Sequence, residues 1–244
     1  MKKICIIKTG TVPECIRKEH GDFHRFFLTA MKLSAREVEV ITDFKTPQFP
    51  FPKTCGVIIT GSPADVTDQE PWMNILASWI RELIERKIPV LGVCFGHQII
   101  AHALGGKVEY HPQGMEIGSV PIQLTPEGCR DTLLGRMPMN FSAMEIHSQT
   151  VAQLPSGAKV LARNEFEPHQ AVAYVENLVW GLQFHPEFTK KFMVSYIEKN
   201  AEELESKGFI ISELLRKLDE DSHTSQPLEE FVDYCFTRIE AQIS

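Results

Sequence analysis

The segment Val90-Leu91-Gly92-Val93-Cys94-Phe95-Gly96-His97-Gln98-Ile99-Ile100 carries several signals in close succession. An apolar run ends at Gly92, and Cys94 follows between two glycines. A helix-compatible stretch from Gln98 to Leu104 then begins and stops at Gly105-Gly106. Strand, sharp turn and helix in that order are the geometry of a nucleophile elbow, with Cys94 at the nucleophile position. Glycines on either side permit the tight turn and a close approach of substrate to backbone. A sulfur placed there meets the N–H groups and dipole of a helix N-terminus, which stabilise negative charge. The same residues also suit an inert buried thiol, because free cysteine packs as a small apolar side chain.

Upstream, the pattern alternates strand and helix. Lys3 to Ile7 and Val38 to Ile41 read as strands, with a helix from His24 to Met31 between them. The three prolines of Thr46–Pro52 enforce an irregular segment. Cys55 to Thr60 is an apolar run of the kind buried on both faces of a parallel sheet, and it leads straight into Gly61-Ser62-Pro63. Pro71 opens a helix whose apolar stripe runs through Ile75, Leu76, Trp79, Ile80, Leu83 and Ile84, so its tryptophan reads as core. This alternation predicts an α/β fold with a mostly parallel, doubly wound sheet and helices on both faces. Ligands in such sheets sit outside the carboxyl ends of the strands, where Gly61 and Cys94 both fall.

Downstream of Gly106 the texture changes. Shorter strand-like runs occupy Val108 to His111, Ile117 to Leu124 and Ala158 to Arg163. Gln170 to Val175 and Leu178 to Phe184 are separated only by Glu176-Asn177, which predicts a hairpin. Antiparallel strands are therefore added to the parallel sheet. A helix is expected from Lys190 to Ile197. Two amphipathic terminal helices follow, one through Ile210, Ile211, Leu214, Leu215 and Leu218, the other through Leu228, Phe231, Val232, Cys235, Phe236 and Ile239. The polar run Asp219–Pro227 joins them as a loop. The charges from Glu202 to Asp221 read as a solvated face.

Composition sets the outer bounds. The chain has 244 residues, 43% hydrophobic and 23% charged, within the range of one soluble globular domain with a sizeable core. A net charge of −7 argues against nucleic-acid binding as the main activity. The apolar stretch after Met1-Lys2-Lys3 ends at Lys8, too short for a signal-peptide core, and no run approaches membrane-spanning length. A cytoplasmic location with no membrane association is the default expectation. The six cysteines are scattered without a Cys-x-x-Cys pair, so reduced thiols are expected. No cysteine or histidine pair shows zinc-ligand spacing on a short loop, and no metal or other cofactor is expected.

The hairpin ends in Trp180-Gly181-Leu182-Gln183-Phe184-His185-Pro186-Glu187. A thiol nucleophile needs a nearby base or cation, which His185 can supply if the fold brings it to Cys94. An imidazole works best when a carboxylate fixes its tautomer, and Glu187 is within local reach. A histidine satisfied at a strand end beside a solvated glutamate fits the same residues.

Taken together, Gly92-Val93-Cys94-Phe95-Gly96-His97-Gln98 and Trp180 to Glu187 resemble the two hallmark motifs of class I (triad) glutamine amidotransferases. Thr60-Gly61-Ser62-Pro63 resembles that family's oxyanion turn, and all three appear in the family's order. The likeness covers roughly residues 1–200 and is strongest to stand-alone members similar to the glutaminase domain of guanosine-monophosphate synthase. It implies a flavodoxin-like fold over 1–200, with 201–244 as a C-terminal helical extension packed on the same domain. It also implies roles. Cys94 is the nucleophile toward the γ-amide of glutamine, His185 the proton carrier and Glu187 its orienting carboxylate. The N–H groups of Gly61 and Phe95 form the oxyanion hole. Gln98, together with Ser148 in the loop His147–Val151, holds the amino-acid end of the substrate, and Gly114–Gly118 lines the site. The products are glutamate and ammonia, and a separate synthase subunit that accepts ammonia is an implied partner. The same thioester chemistry serves a γ-glutamyl peptidase acting on glutathione-like compounds. A non-enzymatic binding subunit is disfavoured by the completeness of Cys94, His185 and Glu187.

Overall fold

The computed structural model describes residues 3–44, 49, 53–219, 221 and 223–243, with side chains through 238. The proline-rich stretch expected to be irregular lies, but for Phe49, outside the described residues. The elements in chain order are β1 (Lys3–Ile7), α1 (Glu14–His20), α2 (Phe23–Ala30), β2 (Val38–Ile41), β3 (Thr54–Ile59), α3 (Pro71–Glu85), β4 (Val90–Val93) and α4 (Phe95–Ala103). They continue with β5 (Lys107–Tyr110), β6 (Glu116–Leu124), β7 (Asn140–His147), β8 (Gln149–Gln153), β9 (Lys159–Arg163), β10 (Ala171–Val175) and β11 (Val179–Leu182). The chain closes with α5 (Lys190–Lys199), α6 (Ala201–Ser206), α7 (Ile211–Lys217) and α8 (Gln226–Ile243).

Nine strands form one sheet in the order β2-β1-β3-β4-β11-β10-β9-β6-β7. The first five are mutually parallel, and every pairing beyond β11 is antiparallel. The architecture is therefore the expected α/β sheet, parallel from β2 to β11 with antiparallel strands added on the other side. The hairpin between β10 and β11 turns at Glu176-Asn177, with Asn177 at φ 53°. β5 and β8 leave the main sheet and pair as a two-stranded ribbon.

Side-chain alternation explains why the parallel strands read as unbroken apolar runs. Ile4 and Ile6 point to one face of the sheet, where Phe27 of α2 and Leu228, Phe231 and Cys235 of α8 cover them. Cys5 and Ile7 point to the other face, under Leu76, Trp79 and Ile80 of α3 and Ile99 and Ile100 of α4. A strand covered on both sides has no solvent face, so both of its residue sets must be apolar. Gly56 is small because the Cys235 side chain of α8 occupies the space a Cβ would fill. A third apolar cluster joins α1, α5, α6 and α7 to Ile117 of β6 and Met144 of β7. No described helix is long and apolar enough to cross a membrane.

The topology positions the site. β3, β4 and β11 are neighbours in the sheet and run the same way, with Ile59 beside Gly92 and Leu182 beside Val93. The residues that follow these strands, Gly61, Cys94 and His185, therefore emerge at the same edge. This is why motifs distant in sequence converge.

Candidate active site

Cys94 joins β4 directly to α4 at φ 51° and ψ −105°. Such a conformation is costly for a residue with a Cβ, on the order of 1–3 kcal/mol, and persists only where packing enforces it. The enforcing contacts are close. The Cys94 amide donates to the Leu182 carbonyl at 2.7 Å. A Cβ on Gly92 would strike the Gly96 carbonyl, and one on Gly96 would strike the carbonyl of Ile59. The helix starts at Phe95, three residues earlier than the sequence predicts, because the glycine at 96 tucks the first turn against β3. Cys94 is thus the residue immediately preceding the helix.

Cys94 is 7% exposed, His185 3% and Glu187 4%. His185 Nδ1 lies 2.8 Å from Glu187 Oε1. A carboxylate only accepts, so Nδ1 carries the proton and Nε2 is left for the Cys94 thiol, which is within hydrogen-bonding reach of the ring. Burial by itself pulls the imidazole down, but Glu187 and then Cys94 more than offset it. The His185 ring is held well above the ordinary histidine value. Phe188 stacks on that ring with centroids 3.9 Å apart, fixing its plane. The segment that carries these atoms is anchored as well, since the His185 amide donates to the Met144 carbonyl at 2.9 Å.

Gly61 is set against both groups. A Cβ there would lie 3.1 Å from His185 Cε1 and 3.7 Å from Cys94 Cβ. The turn is held by two hydroxyls that converge on the Gly61 carbonyl, Thr9 Oγ1 at 3.0 Å and Thr60 Oγ1 at 2.9 Å. The Thr9 hydroxyl also lies 3.0 Å from the Thr60 carbonyl, which fixes the peptide that bears the Gly61 N–H.

The remaining expected positions fall around this centre. Gln98 is buried and spends its amide N–H groups on protein, donating to the Gln149 carbonyl at 2.9 Å and to Gln183 Oε1 at 3.0 Å. Its remaining contact group is its own carbonyl oxygen. Ser148 presents its carbonyl to the His111 amide at 2.8 Å. The segment His147–Val151, expected as a loop, is instead the junction of two strands with only Ser148 between them. β-branched Thr150 and Val151 pair with Glu109 and Val108 of β5, which turns the expected loop into a ribbon.

The model of the family described as glutamine amidotransferase class-I matches residues 22–203. The chain belongs to the class I glutamine amidotransferase family. Among its relatives is one of the subunits of the glutamine-hydrolyzing GMP synthase of Saccharolobus solfataricus, 35% identical over 68% of this chain and 85% of that protein. Gamma-glutamyl peptidase 4 of Arabidopsis thaliana is 29% identical over 81% of this chain and 80% of its own length. The crystal structure of a glutamine amidotransferase from Methylobacillus flagellatus superposes with a TM-score of 0.74 at 25% identity, covering 97% of this chain and 95% of that one.

Beside Cys94 and His185 lies a second buried polar group that sequence reading missed. Glu145 and His147 of β7 face Glu116 of β6, and all are buried. Ile146, between them in sequence, turns its carbonyl toward the Cys94 sulfur at 3.7 Å. Alternation along β7 offered one signal, since Glu145 and His147 share a face of the strand. Their partner Glu116, however, comes from a different strand. His97, next to the elbow, is a core residue. Its Nδ1 meets the Tyr174 hydroxyl at 3.0 Å in a space left open by Gly181, and burial pushes its ring down to about 3.

Proposed function

We propose that the chain hydrolyses the γ-amide of glutamine through a γ-glutamyl thioester on Cys94. The observation that carries this reading is the convergence of Cys94, His185 and Gly61 at the ends of three adjacent parallel strands. Glu187 holds the tautomer of His185, so Nε2 takes and keeps the thiol proton. The sulfur attacks the amide carbonyl. Charge on the resulting oxyanion is stabilised by the N–H groups of Gly61 and Phe95, which the turn and the helix start fix beforehand. His185 then delivers its proton to the departing ammonia, and water hydrolyses the thioester to glutamate. Gln98 holds the start of β8, and through it the Ser148 junction against which the amino-acid end of the substrate rests. The Saccharolobus relative is named as one part of a divided synthase, which supports a separate protein as the acceptor of ammonia. The net charge of −7 gives no support to a nucleic-acid partner.

The alternative substrate class is a γ-glutamyl peptide, supported by the likeness to the Arabidopsis peptidase. The chemistry at sulfur is the same, and only the leaving amine differs. Purified protein assayed in parallel on glutamine and glutathione separates the two. Ammonia from glutamine is the expected result, and Cys94→Ala is expected to reduce it by about 10⁴-fold or more while circular dichroism stays unchanged. Release of a cysteinyl dipeptide with little ammonia transfers the assignment to the peptidase reaction. Unchanged turnover in Cys94→Ala overturns the nucleophile.

A further inference from the structure

The ligand chemistry of the second polar cluster differs from that of an ordinary buried ion pair. His147 Nδ1 lies 2.9 Å from the Gln149 carbonyl, which can only accept, so Nδ1 carries a proton. The other ring nitrogen, Nε2, faces two carboxylates, Glu116 Oε2 at 3.1 Å and Glu145 Oε2 at 3.7 Å. A neutral ring therefore points a lone pair at two carboxyl groups. Histidines that bind metals are oriented in this way, with the non-ligating N–H given to a backbone carbonyl.

We propose that Glu116, Glu145 and His147 form a binding site for one divalent first-row transition-metal ion, built into the wall of the catalytic centre and separate from its triad. Three observations support it. First, the spacing fits. Three atoms bound at the usual zinc–nitrogen and zinc–oxygen lengths in a tetrahedral arrangement stand about 3.4 Å apart, and the observed 3.1 and 3.7 Å bracket that value. Second, Glu145 is fully buried and neither of its oxygens meets hydrogen-bond geometry, although the Gln170 amide stands beside it. Gln170 Oε1 is likewise buried without a partner. A proton on the His147 ring satisfies Glu116 and leaves those oxygens without a partner. A divalent cation satisfies the ring and both carboxylates and balances their charge. Third, Glu116 is held for the task. Asn164 donates to its Oε1 at 2.7 Å and Gln170 to its Oε2 at 3.0 Å. A cavity of about 770 Å³ lined by Glu116, Asn164 and Phe166 gives an ion its route from the surface. One nitrogen and two oxygen donors favour Zn²⁺ or Mn²⁺ over Mg²⁺ or Ca²⁺, which prefer all-oxygen shells.

An ion there ties β6 to β7 at the residues whose neighbours, Met144 and Ile146, touch His185 and Cys94. Its effect belongs first to stability and only second to turnover. The test uses Cys94→Ser protein, so that the catalytic thiol does not compete for metal. After dialysis against chelator, Zn²⁺ and Mn²⁺ are titrated separately, with binding followed by equilibrium dialysis with elemental analysis and by the thermal midpoint. One ion per chain and a raised midpoint are expected. Both are lost in Cys94→Ser/Glu145→Gln, with binding at least tenfold weaker, while Mg²⁺ shifts neither protein. His147→Gln in the same background is the second variant should Glu145→Gln fail to fold. The absence of stoichiometric binding, or binding that either folded variant leaves within tenfold, overturns the site. The outcome is independent of the glutamine reading, because neither readout involves substrate.

Discussion

Two histidine–glutamate pairs lie close together in this molecule and do different things with the same side chains. His185 gives its Nδ1 proton to Glu187 at 2.8 Å and turns Nε2 to the Cys94 thiol. His147 gives its Nδ1 proton to the Gln149 carbonyl and turns Nε2 to Glu116 at 3.1 Å. In the first pair the carboxylate sits behind the ring, leaving Nε2 to face the Cys94 sulfur. In the second the carboxylates sit in front of it, so the nitrogen is committed to them. Residue type and burial are nearly the same in both pairs. What separates the two rings is which nitrogen meets the carboxylate, and the backbone decides that.

The sharpest way to break the comparison is to take the carboxylate from behind His185. Glu187→Gln is expected to lower kcat/KM on the γ-glutamyl substrate by roughly 10²–10⁴-fold, the range for losing a positioned acid–base group. Its pH profile should move as well. The raised His185 value keeps the imidazolium beside Cys94 above the ordinary histidine range near 6.5, with Glu187 and the sulfur as the charges facing it and the Glu145 carboxyl, itself pushed up by burial, nearby. A raised folded value adds stability that is complete below the unfolded value and lost as pH rises through the folded one. Removing the Glu187 charge lowers the His185 value, which shifts the alkaline limb of kcat/KM to lower pH. An unmoved limb would falsify the orienting role.

His147→Ala should reverse the balance between stability and activity. It leaves Glu116 buried without its ring partner, and losing one side of a buried hydrogen bond costs about 1–3 kcal/mol. Urea denaturation is expected to show that loss, while kcat per folded molecule falls less than about tenfold, since the ring reaches the sulfur only through Ile146. A kcat loss larger than that of Glu187→Gln would erase the distinction between the pairs. The smallest effect is expected at Ser148, which lies beside His147 in the chain and is engaged through its backbone carbonyl. Ser148→Ala should change KM by less than about threefold, because a contact made by the backbone survives loss of the hydroxyl. A tenfold rise in KM would instead place the hydroxyl on the substrate.

The difference between the pairs also explains what could be read from the sequence. Gln183-Phe184-His185-Pro186-Glu187 is contiguous, so base and carboxylate are visible together. Gly92-Val93-Cys94-Phe95-Gly96 carries its own turn chemistry. The parallel half of the sheet was legible because strands buried on both faces are apolar throughout and cannot be mistaken for surface. β7, β8 and α1 were not. Asn140–Gln153 mixes polar with apolar residues because its side chains face a polar cluster, and α1 is a short helix with only Ile16 buried. Glu116, Glu145 and His147 come from two strands whose antiparallel register sets Glu116 opposite His147 and Gly118 opposite Glu145. No local pattern announces that meeting.

By itself the sequence determined the elbow at Cys94, the α/β alternation that carries it and the motif pair that names the family. These depend on local rules: glycine where a turn demands it, apolar runs where a strand has no wet face, an acid two residues from its histidine. Only the tertiary structure decided that Gly61, Cys94 and His185 share one edge, because strand order arises from pairing between distant segments. It alone directs the Gln98 amide to the Gln149 carbonyl and to Gln183 Oε1. It also set a second histidine between two glutamates beneath the sulfur, because burial and hydrogen-bond direction are properties of neighbours in space.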